Sequence, residues 1–268
     1  MGAAFETIAG HATGQTGVTT FAAATMATGD SLVVRNFPAA NPAYLMNMLW
    51  EDAEAGCLRL RSPLLHDNVK GIHLSLSETP SGWGFPCSGV QPLKPQDNLI
   101  LEQSGVGTDV AQFGISIYYT NLPGAQARLH SWGDIKGMVK SVVTVDVLAV
   151  CTGSPTAWTD TAINVTDNLL HANTDYAVLG LYSSVATGII AIKGIDTGNL
   201  RMGQAGSTRT FEESEYFIGL SNRSGLPCIP VINAANAPST YVSAIDVTTP
   251  SANNCTVVLA ELGTNTGL

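Results

Sequence analysis

The stretch VVRNFPAANPAYLMNMLWEDAEAGCLRLR, residues 33–61, decides how this chain is read, because residues 165–193, VTDNLLHANTDYAVLGLYSSVATGIIAIK, repeat it at one gapless offset of 132. Seven of the 29 positions are identical: Val33/Val165, Asn36/Asn168, Ala40/Ala172, Asn41/Asn173, Tyr44/Tyr176, Leu49/Leu181 and Gly56/Gly188. Average composition gives about two such identities by chance. Trp50/Tyr182, Leu58/Ile190, Leu60/Ile192 and Arg61/Lys193 add conservative pairs. Self-similarity with a period of about half the chain predicts two copies of one domain.

Within each copy, residues 43–50 and 175–182 are expected as strands, the first so continuously apolar that a helix suits it as well. Residues 57–61 and 189–193 are their hairpin partners. The shared Gly56 or Gly188 precedes each partner and supplies positive φ at little cost. Outward from this unit, residues 18–26 and 141–150 are expected to be matching opening strands, the latter with Val143, Val145, Val147 and Ala149 on one face. Residues 31–37 and 161–168 follow as second strands. Residues 98–103 and 112–119 close the first copy, and residues 229–233, 240–247 and 256–262 the second. Pro80 to Pro95 reads as a long Gly/Pro/aromatic loop containing Ser81-Gly-Trp-Gly-Phe-Pro-Cys87. Its counterpart, 203–214, is shorter, as loops vary where cores do not. Long amphipathic helices are not expected.

Short strands rich in Val, Ile, Thr and Tyr, with turn signals between them, indicate sandwiches or barrels. The fold class expected is all-β, with two tandem jelly-roll-like β-sandwich or barrel domains related by internal duplication. Its parts are an extended N-terminal arm (1–17), a first jelly roll (18–125), a linker (126–137) and a second jelly roll (138–268).

Only 12% of the residues are charged, about half the usual share. Interface cores are depleted of charge, so much of the exterior is expected to be covered by other subunits; a neutral polar surface on a robust β protein is the plainer alternative. A net charge of −9 with no basic run argues against direct nucleic-acid binding. Five widely spaced cysteines without a CxxC indicate neither a disulfide framework nor a zinc site, but reduced thiols suited to a cytoplasm. The first residues lack the basic and apolar regions of a signal peptide. The longest apolar run, near 142–151, is broken by Thr144 and Asp146, so no membrane span is expected.

No catalytic motif stands out. His11, His66, His73, His130 and His171 form no HxH or HExxH. His66 and His73 with Asp67 are the best metal candidate, but a turn histidine and a strand histidine explain them more simply. Ser104-Gly-Val-Gly107 and the 203–207 segment are followed by no Lys-Ser/Thr and read as turns. Glu51, Asp52 and Glu54 cluster in one loop and Glu212, Glu213 and Glu215 in another. A glycosidase needs two carboxylates at a set separation, and solvated loops account for both clusters. No catalytic, metal or cofactor residue is assigned, and no cofactor is expected. The candidates for a subunit interface are Trp83 and Phe85 on the long loop, which would plug into a neighbour or stack on sugar. Arg59 and Arg61, on one strand face, and Lys193 and Arg201 in the repeat join them, as solvated residues or as interface partners of the acidic loops.

Tandem duplicated β-domains, sparse charge, no enzyme motif and a reducing compartment together make the chain resemble the double jelly-roll capsid proteins of icosahedral viruses. The resemblance covers the whole chain as architecture and rests on no signature motif. It implies two similar barrels side by side, homotrimers tiling a shell, contact with other virion proteins, synthesis in a host cytoplasm, and no catalysis. The short helices and larger loops of that family are not evident here, which keeps a spike, tail or decoration protein open. A carbohydrate-binding or carbohydrate-active β-sandwich, with Trp83 and the acidic loops forming its cleft, is the rival from a different class.

Overall fold

A computed structural model describes residues 2–13, 17–51, 56–65, 69–76, 89, 91–105, 110–147, 154–163, 170–184, 187–206, 213–246, 254–264 and 266–268. The first half contains β1 (Gly2–Thr13), β2 (Gly17–Ala23), β3 (Thr25–Met26), β4 (Ala43–Glu51), β5 (Gly56–Arg61), β6 (Ile72–Leu76), β7 (Gln91–Leu93), β8 (Ile100–Gly105) and β9 (Val110–Leu122). β10 (Leu129–His130) and a one-turn helix α1 (Trp132–Ile135) follow. The second half holds β11 (Ser141–Val147), β12 (Thr159–Ala162), β13 (Thr174–Ser183), β14 (Thr187–Lys193), β15 (Met202–Gly206), helix α2 (Tyr216–Ser224), β16 (Ile229–Asn233), β17 (Tyr241–Ile245) and β18 (Cys255–Thr264).

The strands form four antiparallel sheets, none closed into a barrel. Sheet I runs β3-β1-β9-β4-β7, sheet II β2-β8-β5-β6, sheet III β12-β17-β14-β15 and sheet IV β10-β16-β13-β18-β11. The pairing nests. In the first half β1 pairs with β9, β2 with β8, β4 with β7 and β5 with β6. In the second, β11 pairs with β18, β12 with β17, β13 with β16 and β14 with β15.

Side-chain alternation builds the layers. On β1, Ala4, Ile8 and Ala12 enter a core with Trp50, Leu58, Leu101, Phe113 and Ile115, between sheets I and II. Phe5 and Ala9, on the opposite face of β1, pack toward the second half. On β14, Ile190 and Ile192 join Val145, Tyr176, Leu181, Val257 and Leu259 in the core between sheets III and IV. Ile189 turns the other way and meets Ala9, Leu49 and Ile245. Sheet I is therefore buried on both faces, against sheet II and against sheet III. That explains β4: a strand covered on both sides needs no polar face and reads as a continuous apolar run.

Several expectations are corrected. Residues 2–13 are no arm, since β1 pairs along its length with β9. Its Gly, Ala and Thr content lets a neighbouring sheet approach closely. Residues 31–37 form no regular strand; Val33 makes a single bridge to Asn98, in a segment bracketed by Gly29 at φ 89 and by Pro38. The shared glycines serve space and not positive φ. A Cβ on Gly56 would lie 2.8 Å from the Trp50 ring, and one on Gly188 2.6 Å from Gln112. Residues 129–130, within the expected linker, pair with β16. α2 is a helix absent from the sequence reading, with Tyr216, Phe217, Leu220 and Ser221 buried. No helix among the described residues is long and apolar enough to cross a membrane.

Candidate functional site

The junction of sheets I and III is built from small side chains and backbone. A Cβ on Gly114 would lie 2.4 Å from the Ile8 carbonyl and 2.8 Å from Ile189 Cδ1, and one on Gly203 3.1 Å from Thr7 Cγ2. At that approach, polar groups must find partners within the interface. The Thr7 N–H donates to the Arg201 carbonyl at 2.7 Å. The Gly203 N–H donates to Thr7 Oγ1 at 2.9 Å, and the same oxygen lies 2.9 Å from Ser116 Oγ. Gln112 Nε2 donates to the Gly10 carbonyl at 2.8 Å.

At one rim the junction opens into a cleft of about 160 Å³ lined by Glu6, Asp30, Arg35, Lys193, Asn199 and Arg201, among others. Arg35 grips Glu6 through two hydrogen bonds of 2.6 and 2.7 Å. Asp30 Oδ2 accepts from the Ala9 N–H at 2.8 Å and from Trp158 Nε1 at 3.0 Å. Beside the cleft, Asp160 accepts from Lys193 at 2.9 Å and from Ser243 at 2.6 Å. Arg201 stands between the two aspartates, 3.4 Å from Asp160 and 3.8 Å from Asp30. Its guanidinium lies 4.9 Å from the centre of the Trp158 ring, within cation–π range.

Burial raises the Asp30 carboxyl above its ordinary value and outweighs the Ala9 and Trp158 hydrogen bonds and the Arg201 charge. Burial also opposes ionisation of Asp160, but the Ser243 and Lys193 hydrogen bonds and the Arg201 and Lys193 charges prevail and hold it low. Three cations thus face three carboxylates. Among the described residues the cleft is a charge-balanced clamp between the halves, and Thr7, which also lines it, is engaged in the junction.

The sequence-selected cations separate into two places. Lys193 and Arg201 belong to this cleft. Arg59 and Arg61 lie on the outer face of sheet II and share Glu102, at 2.8 Å from Arg59 and 2.7 Å from Arg61. The Arg61 hydrogen bond, with the Arg59 bond and both charges, overcomes burial and lowers the Glu102 carboxyl. Among the described residues the acidic partners of these four cations are Glu102, Asp160 and Asp30. Of those loops, Glu213 is buried and accepts from Gln204 Nε2 at 2.5 Å. Trp83 and Phe85 lie outside the described residues, as do His66, Asp67, Asp52, Glu54 and Glu212. His73 Nδ1 faces Cys57 Sγ, and its Nε2 faces the Lys70 carbonyl. Among the described residues no group of three or more potential metal ligands occurs.

Asp30, Trp158, Asp160 and Glu102 are the residues the sequence reading missed. Each acts through a partner distant in sequence, and only the sheet register brings them together. Comparison with protein-family models, curated proteins and solved structures finds no match for this chain.

Proposed function

We propose that this chain is a virion structural protein, a double jelly-roll capsid subunit that assembles through its own copies into an icosahedral shell. The observation that carries the reading is the nested pairing found in both halves. A ribbon in which the first strand pairs with the eighth, the second with the seventh, the third with the sixth and the fourth with the fifth gives a jelly roll when it is rolled up. Leaving aside β3 and β10, both halves have that order. The 132-residue repeat places β4 on β13 and β5 on β14, the third and fourth strands of each ribbon. On this reading the counterpart of β11 is β1, not residues 18–26, since both are first strands that pair with the last.

The junction suggests how copies would meet. Within the chain, the outer face of sheet I packs on that of sheet III. Sheets II and IV are the second example of each kind. Sheet II turns Arg59, Arg61 and His73 outward, and the β11 edge of sheet IV turns out Asp146 and Val142, the latter 58% exposed. A head-to-tail contact of sheet II on sheet IV of the next copy is heterologous and closes into a ring when its rotation allows. Three chains would then present six sandwiches. The partners are further copies and other virion proteins, the location is the virion after synthesis in a host cytoplasm, and neither cofactor nor direct nucleic-acid contact enters the reading.

Mass photometry of the purified chain tests this. Particles near three times 27.9 kDa, or closed shells, are the expected result. A monomer at every concentration tried would reject the reading and move attention to a glycan-binding screen.

A further inference from the structure

We propose that the cleft at the rim between sheets I and III binds one small tetrahedral oxyanion that still carries a proton, inorganic phosphate being the ion that fits. The residues lining the cleft all lie in described segments, among them Glu6 on β1, Asp30 and Arg35 before β4, Lys193 at the end of β14, and Asn199 and Arg201 before β15. Its volume is about 160 Å³, well below the roughly 300 Å³ at which pockets for drug-sized ligands begin. That is room for about five waters at roughly 30 Å³ apiece, or for one five-atom oxyanion. The lining itself carries three cations and two carboxylates, because Asp160 stands beside the cleft and not in it. Of the two carboxylates, Glu6 is held by Arg35 through both oxygens, which offsets its repulsion of an anion.

Arg201 is the under-partnered group. Its guanidinium lies 3.4 Å from Asp160 and 3.8 Å from Asp30, whereas a charge-assisted hydrogen bond closes to about 2.7–2.9 Å. Its buried Nε has no hydrogen-bond partner among the described residues, and the Trp158 ring steadies the guanidinium from one side. Lys193 gives Asp160 one hydrogen bond, and an ammonium has three to give. Cations with spare N–H donors favour a ligand rich in acceptors, and the exposed Asn199 amide stands beside them. Asp30 selects among such ligands. Its Oδ2 accepts from Ala9 and Trp158, while Oδ1 has only the distant Arg201 among the described residues. Burial raises this carboxyl, which makes it a better proton acceptor than an ordinary aspartate. Near neutral pH phosphate keeps at least one P–OH hydrogen to donate to Oδ1, and sulfate keeps none. The inference does not rest on the assembly reading, which uses sheets II and IV.

The test is isothermal titration calorimetry of the native full chain with sodium phosphate near neutral pH, with sodium sulfate at equal ionic strength as the comparison. One phosphate per chain is expected, half-saturating at about 1 mM or below and bound at least about ten-fold more tightly than sulfate. Lys193→Gln and Arg201→Gln are each expected to weaken phosphate at least about ten-fold by removing a charge-assisted donor. Asn199→Gly keeps a backbone at φ 59 that glycine adopts freely, and is expected to weaken phosphate about three-fold through loss of the amide alone. Asp30→Asn is expected to bring phosphate and sulfate to similar affinities, and Arg59→Gln on sheet II to leave phosphate binding unchanged. Absence of saturable binding by the folded chain, sulfate bound as tightly as phosphate, or phosphate binding indifferent to Lys193→Gln, Arg201→Gln and Asn199→Gly alike would overturn the proposal.

Discussion

Sheets II and III hold the same strand positions in their halves, yet one face is open and the other covered. In sheet II, Arg59 stands opposite Glu102 and Cys57 opposite Ser104. In sheet III the corresponding pairs are Ala191 opposite Ser243 and Ile189 opposite Ile245. The covered face is small and mainly apolar, and sheet I lies against it. The open face carries the ion-paired cluster of Arg59, Arg61 and Glu102. One position keeps its charge in both. Arg61 and Lys193, related by the 132 offset, lie at the strand ends, where Lys193 reaches Asp160 at the rim of the cleft. Two sheets with the same strand order thus present different surfaces.

The sharpest way to break this contrast is to place the open face's residue in the covered one. Ala191→Arg buries an unpaired cation under β1 and is expected to cost about 3–5 kcal/mol, read by urea unfolding, or to abolish soluble protein. Next comes Glu102→Ala, which leaves Arg59 and Arg61 without their shared carboxylate. A loss of about 1–2 kcal/mol is expected, and Arg59→Ala should cost less, about 0.5–1 kcal/mol, because Glu102 keeps Arg61 as its partner. If Arg59→Ala proved as damaging as Ala191→Arg, the open face would be as tightly packed as the covered one.

At the cleft, the two aspartates should respond to pH in opposite senses. Asp160 titrates below its ordinary value, so its stabilisation is complete above about pH 4 and is lost as pH falls through the native value. The stability margin of wild type over Asp160→Asn, about 1 kcal/mol at pH 7, should narrow on acidification. Asp30 is raised, so its contribution is present below about pH 4 and fades as pH rises through the native value. Asp30→Asn keeps an acceptor for Ala9 or Trp158. It is expected to stay within about 0.5 kcal/mol of wild type at pH 7. A large loss there would show that the ionised carboxylate holds the clamp.

The sequence made the β4–β5 and β13–β14 units legible because both carry long apolar runs at one offset. β1 escaped because its Gly, Ala and Thr residues give weak alternation, although its two faces enter different cores. The four cations were legible as candidates, but their partners were not. Glu102 is 43 positions from Arg59, and Asp160 is 33 from Lys193, so only the sheet register could pair them. The shared glycines were visible, while their purpose, space beneath Trp50 and Gln112, required the packing.

The most direct test of the account is electron cryo-microscopy of the purified wild-type chain in its largest stable assembly. The account predicts three copies joined head to tail through sheets II and IV, giving six similar lobes in projection. A two-fold dimer, or an assembly that leaves sheet II facing solvent, would contradict it.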